Sequence, residues 1–98
     1  MAFVERVILP GMTADQYDQL REAVLSDGPL DGELFHVAGP TPEGWCTIDA
    51  WESKEQCDRA MEKWMTAFQE AGITMEGMSP PERFDMHKLY TPAGVTAG

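Results

Sequence analysis

The chain holds two histidines, His36 and His87, among 17 acidic and 7 basic residues. Imidazole titrates near neutral pH, and a carboxylate beside it orients the ring and tunes it for proton transfer. The stretch ELFHVAGPTPEGWCTIDAWES, residues 33–53, offers such a pairing. A hairpin folded about the turn 39–44 sets Ala38 opposite Thr47, His36 opposite Asp49 and Leu34 opposite Trp51. A slip of one residue would move every side chain to the other face, so the site depends on this register. In this register alternation gives one apolar face, Phe35, Val37, Cys46, Ile48 and Ala50, and one mixed face. The mixed face carries Leu34, His36, Ala38, Trp45, Thr47, Asp49 and Trp51.

Six elements must position these groups. Residues 2–9, AFVERVIL, are β-rich and stop at the breaker pair Pro10-Gly11. Thr13-Ala-Asp-Gln16 has the form of a capping box, and Tyr17, Leu20 and Val24 recur at helical spacing behind it. Asp27-Gly28-Pro29 predicts the helix stop, with Gly28 suited to the left-handed cap. Strands are predicted at 33–38 and 45–51, joined by the longer loop Gly39 to Gly44. Ser53-Lys-Glu-Gln56 is a second capping box. It opens a helix to about Ala71 with the apolar stripe Cys57, Ala60, Met61, Trp64, Met65 and Phe68, and Gly72 caps it. A Gly/Pro-rich loop covers 75–81 and a fourth strand 82–90, ERFDMHKLY.

The order β-α-β-β-α-β is that of a ferredoxin-like α+β fold, an antiparallel four-stranded sheet with both helices on one face. The other sheet face is bare unless a second copy covers it, which predicts a homodimer. One domain is expected over residues 1–91, with 92–98 a small-residue tail.

A net charge of −10 repels phosphate backbones and anionic lipid, which argues against nucleic-acid and membrane-surface roles. No long apolar stretch or leader is evident at Met1-Ala-Phe-Val-Glu-Arg, so the expected location is the cytoplasm. Cys46 and Cys57 form no C-x-x-C motif and read as small buried hydrophobes of a reducing compartment. No Gly-rich phosphate loop or nucleophile elbow is present.

The run LFHVAGPTPEGWCTIDAWES, the helix start GMTADQY, the helix end EAGI and the late HKLY strand together resemble the dimeric α/β-barrel proteins. The resemblance is to the antibiotic-biosynthesis-monooxygenase-like group and its relatives among small cyclases, and it covers nearly the whole chain in element order. It implies two four-stranded sheets packed face to face across a homodimer, with a ligand pocket between each sheet and its own helices. It also implies an activity drawn from cofactor-independent oxygenases of polyketide quinols, polyketide cyclases, haem-degrading oxygenases and small-molecule isomerases, although some members have no assigned activity.

In that architecture the apolar face lines the barrel and the mixed face points at the helices. Glu5, His36, Asp49, Asp85 and His87 then surround a cavity walled by Tyr17, Trp51, Trp64 and Phe68. By the resemblance His36, paired with Asp49, is the first candidate base and His87 the second. Glu5, Asp85 and the aromatic residues are candidates for gripping an apolar, aromatic or polyketide-like substrate. The plainer reading stays open: a histidine on a half-buried strand is commonly hydrogen-bonded structure, the tryptophans core, and Glu5 and Asp85 solvated strand-edge charges. The alternative function is therefore a non-catalytic binding or assembly protein of the same fold.

Two departures narrow the choice. The chain contains no asparagine, which the quinol-oxygenase and haem-degrading members tend to use, often with a tryptophan. Neither predicted helix contains a histidine to serve as a haem axial ligand. No cofactor is expected. No metal is expected either: His36 and His87 fall on opposite sheet edges, three strand spacings or roughly 14 Å apart.

Overall fold

The computed structural model describes residues 1–74 and 77–90. Met75 and Glu76 of the expected 75–81 loop, and residues 91–98 with the expected tail, lie outside the described residues. The elements run β1 (Phe3–Leu9), α1 (Ala14–Val24), β2 (Glu33–Thr41), β3 (Gly44–Trp51), α2 (Lys54–Glu70) and β4 (Glu82–Asp85). The strands form one antiparallel sheet in the order β2-β3-β1-β4. This is the ferredoxin-like α+β arrangement expected from the sequence.

Both helices start where their caps dictate. Thr13 Oγ1 accepts the Gln16 N–H at 3.1 Å, and Gln16 Oε1 accepts the Thr13 N–H at 3.0 Å. Such a cap contributes about 1 kcal/mol. At α2 only half of the box forms. Ser53 Oγ accepts the Gln56 N–H at 3.3 Å, but the Gln56 side chain takes the Ser53 hydroxyl at 2.9 Å and reaches Asp31 at 3.3 Å. α1 ends sooner than expected, with Leu25 as its C-cap. Gly28, at φ +107°, turns the chain three residues further on instead of capping the helix. α2 ends in a Schellman motif: the Ile73 N–H reaches Phe68 O at 2.9 Å and the Gly72 N–H reaches Gln69 O at 3.1 Å. Gly72 supplies the left-handed turn, φ +71°.

The hairpin is tighter than expected. Its ladder continues through Gly39↔Cys46, Pro40↔Trp45 and Thr41↔Gly44, leaving a two-residue turn, Pro42-Glu43. Pro40 is tolerated because β2 is an edge strand and its missing N–H leaves no partner unpaired. The expected pairs Ala38↔Thr47 and His36↔Asp49 are present, but Leu34 does not pair with Trp51. A bulge at Leu34 makes Glu33 the partner of Trp51 and turns Leu34 out to solvent.

β4 is shorter than the predicted 82–90. Antiparallel pairing sets Asp85 opposite Phe3, the first residue of β1, so residues beyond Asp85 run past the end of their partner. One further bond, Met86 N–H to Ala2 O at 2.8 Å, finishes the ladder.

The core lies between the sheet and the helices. Phe3, Val7, Leu9 and Trp51 on the sheet meet Leu20 and Val24 of α1 and Cys57, Ala60, Ala67 and Phe68 of α2. Trp51, 2% exposed, is its centre. Of the expected α2 stripe, Met61 and Trp64 are only partly buried and Met65 is exposed, with Ala67 taking a core place instead. The opposite sheet face is uncovered in the single chain and apolar apart from the Arg6–Glu82 ion pair: Val37 is 51% and Phe84 56% exposed. Among the described residues no helix is long and apolar enough to cross a membrane.

Candidate active site

Four ionisable residues stand in one row across the sheet. His36 on β2 faces Asp49 on β3, Asp49 faces Glu5 on β1, and Glu5 faces Arg83 on β4. Directly opposed residues of antiparallel strands project from the same face, and this row shares its face with the core residues Phe3, Val7 and Trp51. Four charge-bearing groups are thereby placed under the helices. Asp49 is 6% and Glu5 3% exposed.

At the β2 end, His36 Nδ1 bonds Asp49 Oδ1 and His36 Nε2 bonds the Tyr17 hydroxyl of α1. With Asp49 ionised, one assignment satisfies all three groups: Nδ1–H donates to the carboxylate and Nε2 accepts the Tyr17 O–H. Glu33 Oε2 lies 3.9 Å from the same Nδ1. Glu33 is itself gripped by Arg21, which donates NH2 to Oε1 at 2.9 Å and NH1 to Oε2 at 3.2 Å. The His36 ring lies nearly parallel to Trp64 (centroids 6.3 Å, 15°) and to Tyr17 (5.9 Å, 7°).

At the β4 end, Arg83 Nε is 2.9 Å from Glu5 Oε2, off the line of a hydrogen bond, so the contact is Coulombic. The guanidinium also reaches Asp58 of α2 at 2.5 Å and the Cys57 thiol at 3.4 Å. Its cation lies over the Phe3 ring, 5.2 Å from the centroid.

Burial sets the electrostatics. It pushes the Tyr17 phenol up to about 12, with Arg21 opposing and the Asp49, Glu33 and Asp18 carboxylates adding. Tyr17 is therefore a neutral hydrogen-bond donor at physiological pH. Burial also raises the Glu5 carboxyl above its usual value, against the pull of Arg83 and with the charge of Asp49. The Cys57 thiol is pushed to about 11, again by burial first, which makes it an inert neighbour and not a thiolate.

Above the row lies a cavity of about 40 Å³, lined by Glu5, His36, Thr47 and Asp49 from the sheet and chiefly by Met61, Trp64, Met65, Phe68 and Met78 over it. A few polar groups converge in an otherwise apolar chamber. That volume suffices for water-sized molecules, whereas drug-sized ligands occupy pockets of roughly 300–1,000 Å³. Larger ligands enter only if the methionines and Trp64 shift, and unbranched thioethers are the side chains that do so most cheaply.

Of the residues singled out in the sequence, the fold brings together His36, Asp49, Glu5, Tyr17, Trp64 and Phe68. Glu5 lies on a central strand, buried, and is not a solvated edge charge. Three others are elsewhere. Trp51 is sealed in the core at the far end of β3. Asp85 is exposed beside Phe3 at the end of β4, and His87 is exposed beyond it. The strand that would have carried His87 into the cavity ends at Asp85.

The sequence reading missed Arg21, Glu33 and Arg83. Arg21 lies four residues after Tyr17 and so on the same helix face, a visible signal. Arg83 has the parity of Asp85 on its strand, also visible. Glu33 was hidden, because the bulge reverses its parity. Glu33, His36 and Asp49 present ligand atoms within 4.8 Å of one another, but the Arg21 guanidinium already supplies the cation that Glu33 faces.

No family model matches the chain, and no curated protein matches its sequence. Solved structures do share its fold. A protein of Chloroflexus aurantiacus J-10-fl, provisionally described as an antibiotic biosynthesis monooxygenase, superposes with TM-score 0.67 at 9% identity, covering 93% of this chain and 98% of that one. A variant of SnoaB, a cofactor-independent oxygenase from Streptomyces nogalater, gives TM-score 0.52 at 15% identity over 90% and 93%. Rv0793 from Mycobacterium tuberculosis gives 0.52 at 12% over 94% and 97%. The chain thus has the antibiotic-biosynthesis-monooxygenase-like fold. At these identities the likeness concerns the fold alone, since one fold hosts many activities.

Proposed function

We propose that the chain is a small cofactor-independent enzyme, of monooxygenase or cyclase/isomerase type, acting on an apolar aromatic or polyketide-like molecule between sheet and helices. One observation carries this reading: the hydrogen-bonded series Tyr17–His36–Asp49 at an otherwise apolar chamber. In the proposed mechanism an acidic O–H or activated C–H of the substrate replaces the Tyr17 hydroxyl at His36 Nε2. His36 takes the proton, and Asp49 stabilises the imidazolium through Nδ1–H. The displaced Tyr17 phenol, neutral because burial disfavours its anion, donates to the substrate oxygen on which charge develops. Trp64 and Phe68 pack against the ring.

SnoaB, which shares the fold, is itself a cofactor-independent oxygenase, and this supports the class. The missing asparagine separates this chain from the oxygenases its sequence resembles and favours proton-transfer chemistry. The working unit in this reading is a homodimer that covers the apolar outer face, in a reducing compartment such as the cytoplasm, where Cys46 and Cys57 stay free thiols.

The narrow cavity favours a second reading, a non-catalytic protein of this fold whose Tyr17–His36–Asp49 series holds α1 to the sheet. A thermal-shift screen of quinols and polyketide-like aromatics on native protein and His36→Ala separates the two. A ligand at ten times its Kd contributes about 1.4 kcal/mol, which is several degrees for a domain of this size. The enzyme reading expects such a shift in the native protein and its loss in His36→Ala. Equal shifts in both, or none in the native protein, support the second reading.

A further inference from the structure

We infer that Glu5 is a second proton-transferring group of this cavity, set across from His36, and that the substrate is an enolisable unsaturated carbonyl compound isomerised without net oxidation. The inference rests on the acid–base reading above and adds to it a second group and a reaction class.

Placement is the first argument. Glu5 and His36 line one cavity and are separated by Asp49, two strand spacings or roughly 10 Å between backbones. They can address two different atoms of one small molecule.

Hydrogen bonding is the second. Asp49 is committed to His36, whereas Glu5 Oε2 is buried with no hydrogen bond, and Arg83 beside it is misaligned for one. Buried polar oxygens nearly always find a donor; Oε2, set against the guanidinium, lacks one, so the carboxyl that lines the chamber is not locked in a hydrogen-bonded pair. A purely structural role is poorly served by this arrangement. Arg83 is already held by Asp58 on α2, and a second carboxylate buried beside Asp49 costs desolvation and like-charge repulsion that an apolar side chain would avoid. The groups facing Glu5 are Arg83 on β4, Asp49 on β3 and Cys57 on α2. Burial and Asp49 favour the protonated carboxyl, while Arg83 and the neighbouring Cys57 thiol oppose it, and burial prevails.

His36 takes the proton from the carbon α to the carbonyl, and the C–H electron pair becomes part of a dienolate with its charge on oxygen. The dienolate pair then forms a C–H bond at the γ carbon with the proton of the Glu5 carboxyl, moving the double bond into conjugation. Substrate and product are isomers. Exchange with solvent removes the proton from His36 and returns one to Glu5.

The test follows cyclohex-3-en-1-one by NMR in deuterated buffer. Native protein is expected to exchange the α hydrogens and to form the conjugated isomer with solvent deuterium at the γ carbon. Glu5→Gln should isomerise about 10²-fold more slowly relative to its own rate of α exchange, the scale of a lost general acid. Isomerisation by Glu5→Gln at the native rate relative to α exchange would overturn the inference and leave the acid–base reading standing. A native protein that exchanges no α hydrogen would overturn that reading and this inference with it. Arg83→Met keeps the test decisive should Glu5→Gln not fold. Loss of the guanidinium raises the proton affinity of Glu5, so the pH at which isomerisation declines must move upward with α exchange unchanged. An unmoved pH limb would mean that Glu5 carries no proton in the reaction.

Discussion

Glu33 and His36 share one face of β2 although they are three residues apart, because the chain bulges at Leu34. Without the bulge, alternation would put Glu33 on the outer face and leave Arg21 without its carboxylate. The extra residue lets an ion pair anchored on α1 stand beside the His36–Asp49 bond, where it braces the imidazole from a second side. Glu33→Gln, which strips the charge from a pair held by two hydrogen bonds, is expected to destabilise the fold by about 1–3 kcal/mol. Urea unfolding at constant m-value measures this. A change within experimental error would make the Arg21–Glu33 pair incidental.

Tyr17 gives a prediction with a definite pH window. Its phenol is raised to about 12 from an ordinary value of 10.0, chiefly by burial. Between those values the unfolded chain has lost a proton that the folded chain keeps, so stability is retained below pH 10 and falls as pH rises toward 12. Ultraviolet titration of a Tyr90→Phe variant isolates Tyr17 and is expected to show its ionisation coinciding with unfolding. A midpoint near 10 in the folded protein would contradict the burial argument.

How much of this was legible in the residues divides along physical lines. The His36↔Asp49 register was readable because turn residues and alternation both point to it, and the capping boxes marked both helix starts. What escaped is whatever two distant segments decide jointly. The bulge at Leu34 answers to the edge of β3, and β4 stops where β1 begins, which stranded Asp85 and His87. Arg83 meets Glu5 only because β4 lies beside β1. Parity alone puts residue 83 on the helix-facing side, but the register that sets it opposite Glu5 is fixed by both strands together. Trp51 looked like pocket wall by parity, but its position at the strand end puts it beside Phe3 and in the core cluster with Cys57 of α2.

Glu5 should leave its mark on acid stability. Its folded-state carboxyl holds its proton above the ordinary 4.5, burial being the main cause. Its contribution is present in full below 4.5 and is lost as pH rises through the raised value. Glu5→Gln removes that loss, so the stability difference between variant and native protein should shift in favour of the variant as pH rises from about 4.5. Parallel pH–stability curves would show that Glu5 titrates normally.

The outer sheet face makes the homodimer testable. Val37 and Phe84 are more than half exposed in the single chain, and a charge placed between two such faces would be desolvated without a partner. Size exclusion with light scattering is expected to give a dimer for the native protein at micromolar concentration and a monomer for Val37→Lys. A native monomer would exclude the barrel.

The central claim is that a ligand meets His36 at Nε2, where Tyr17 now sits. The most direct measurement is the imidazole ¹⁵N spectrum of His36 in a His87→Gln background, recorded with and without 2-naphthol as a phenolic probe. The account predicts an Nδ1–H tautomer in the free protein and a shift of the Nε2 resonance when the phenol displaces Tyr17. An Nε2 resonance that stays fixed while the probe binds would contradict it, and would make the Tyr17–His36–Asp49 series structural.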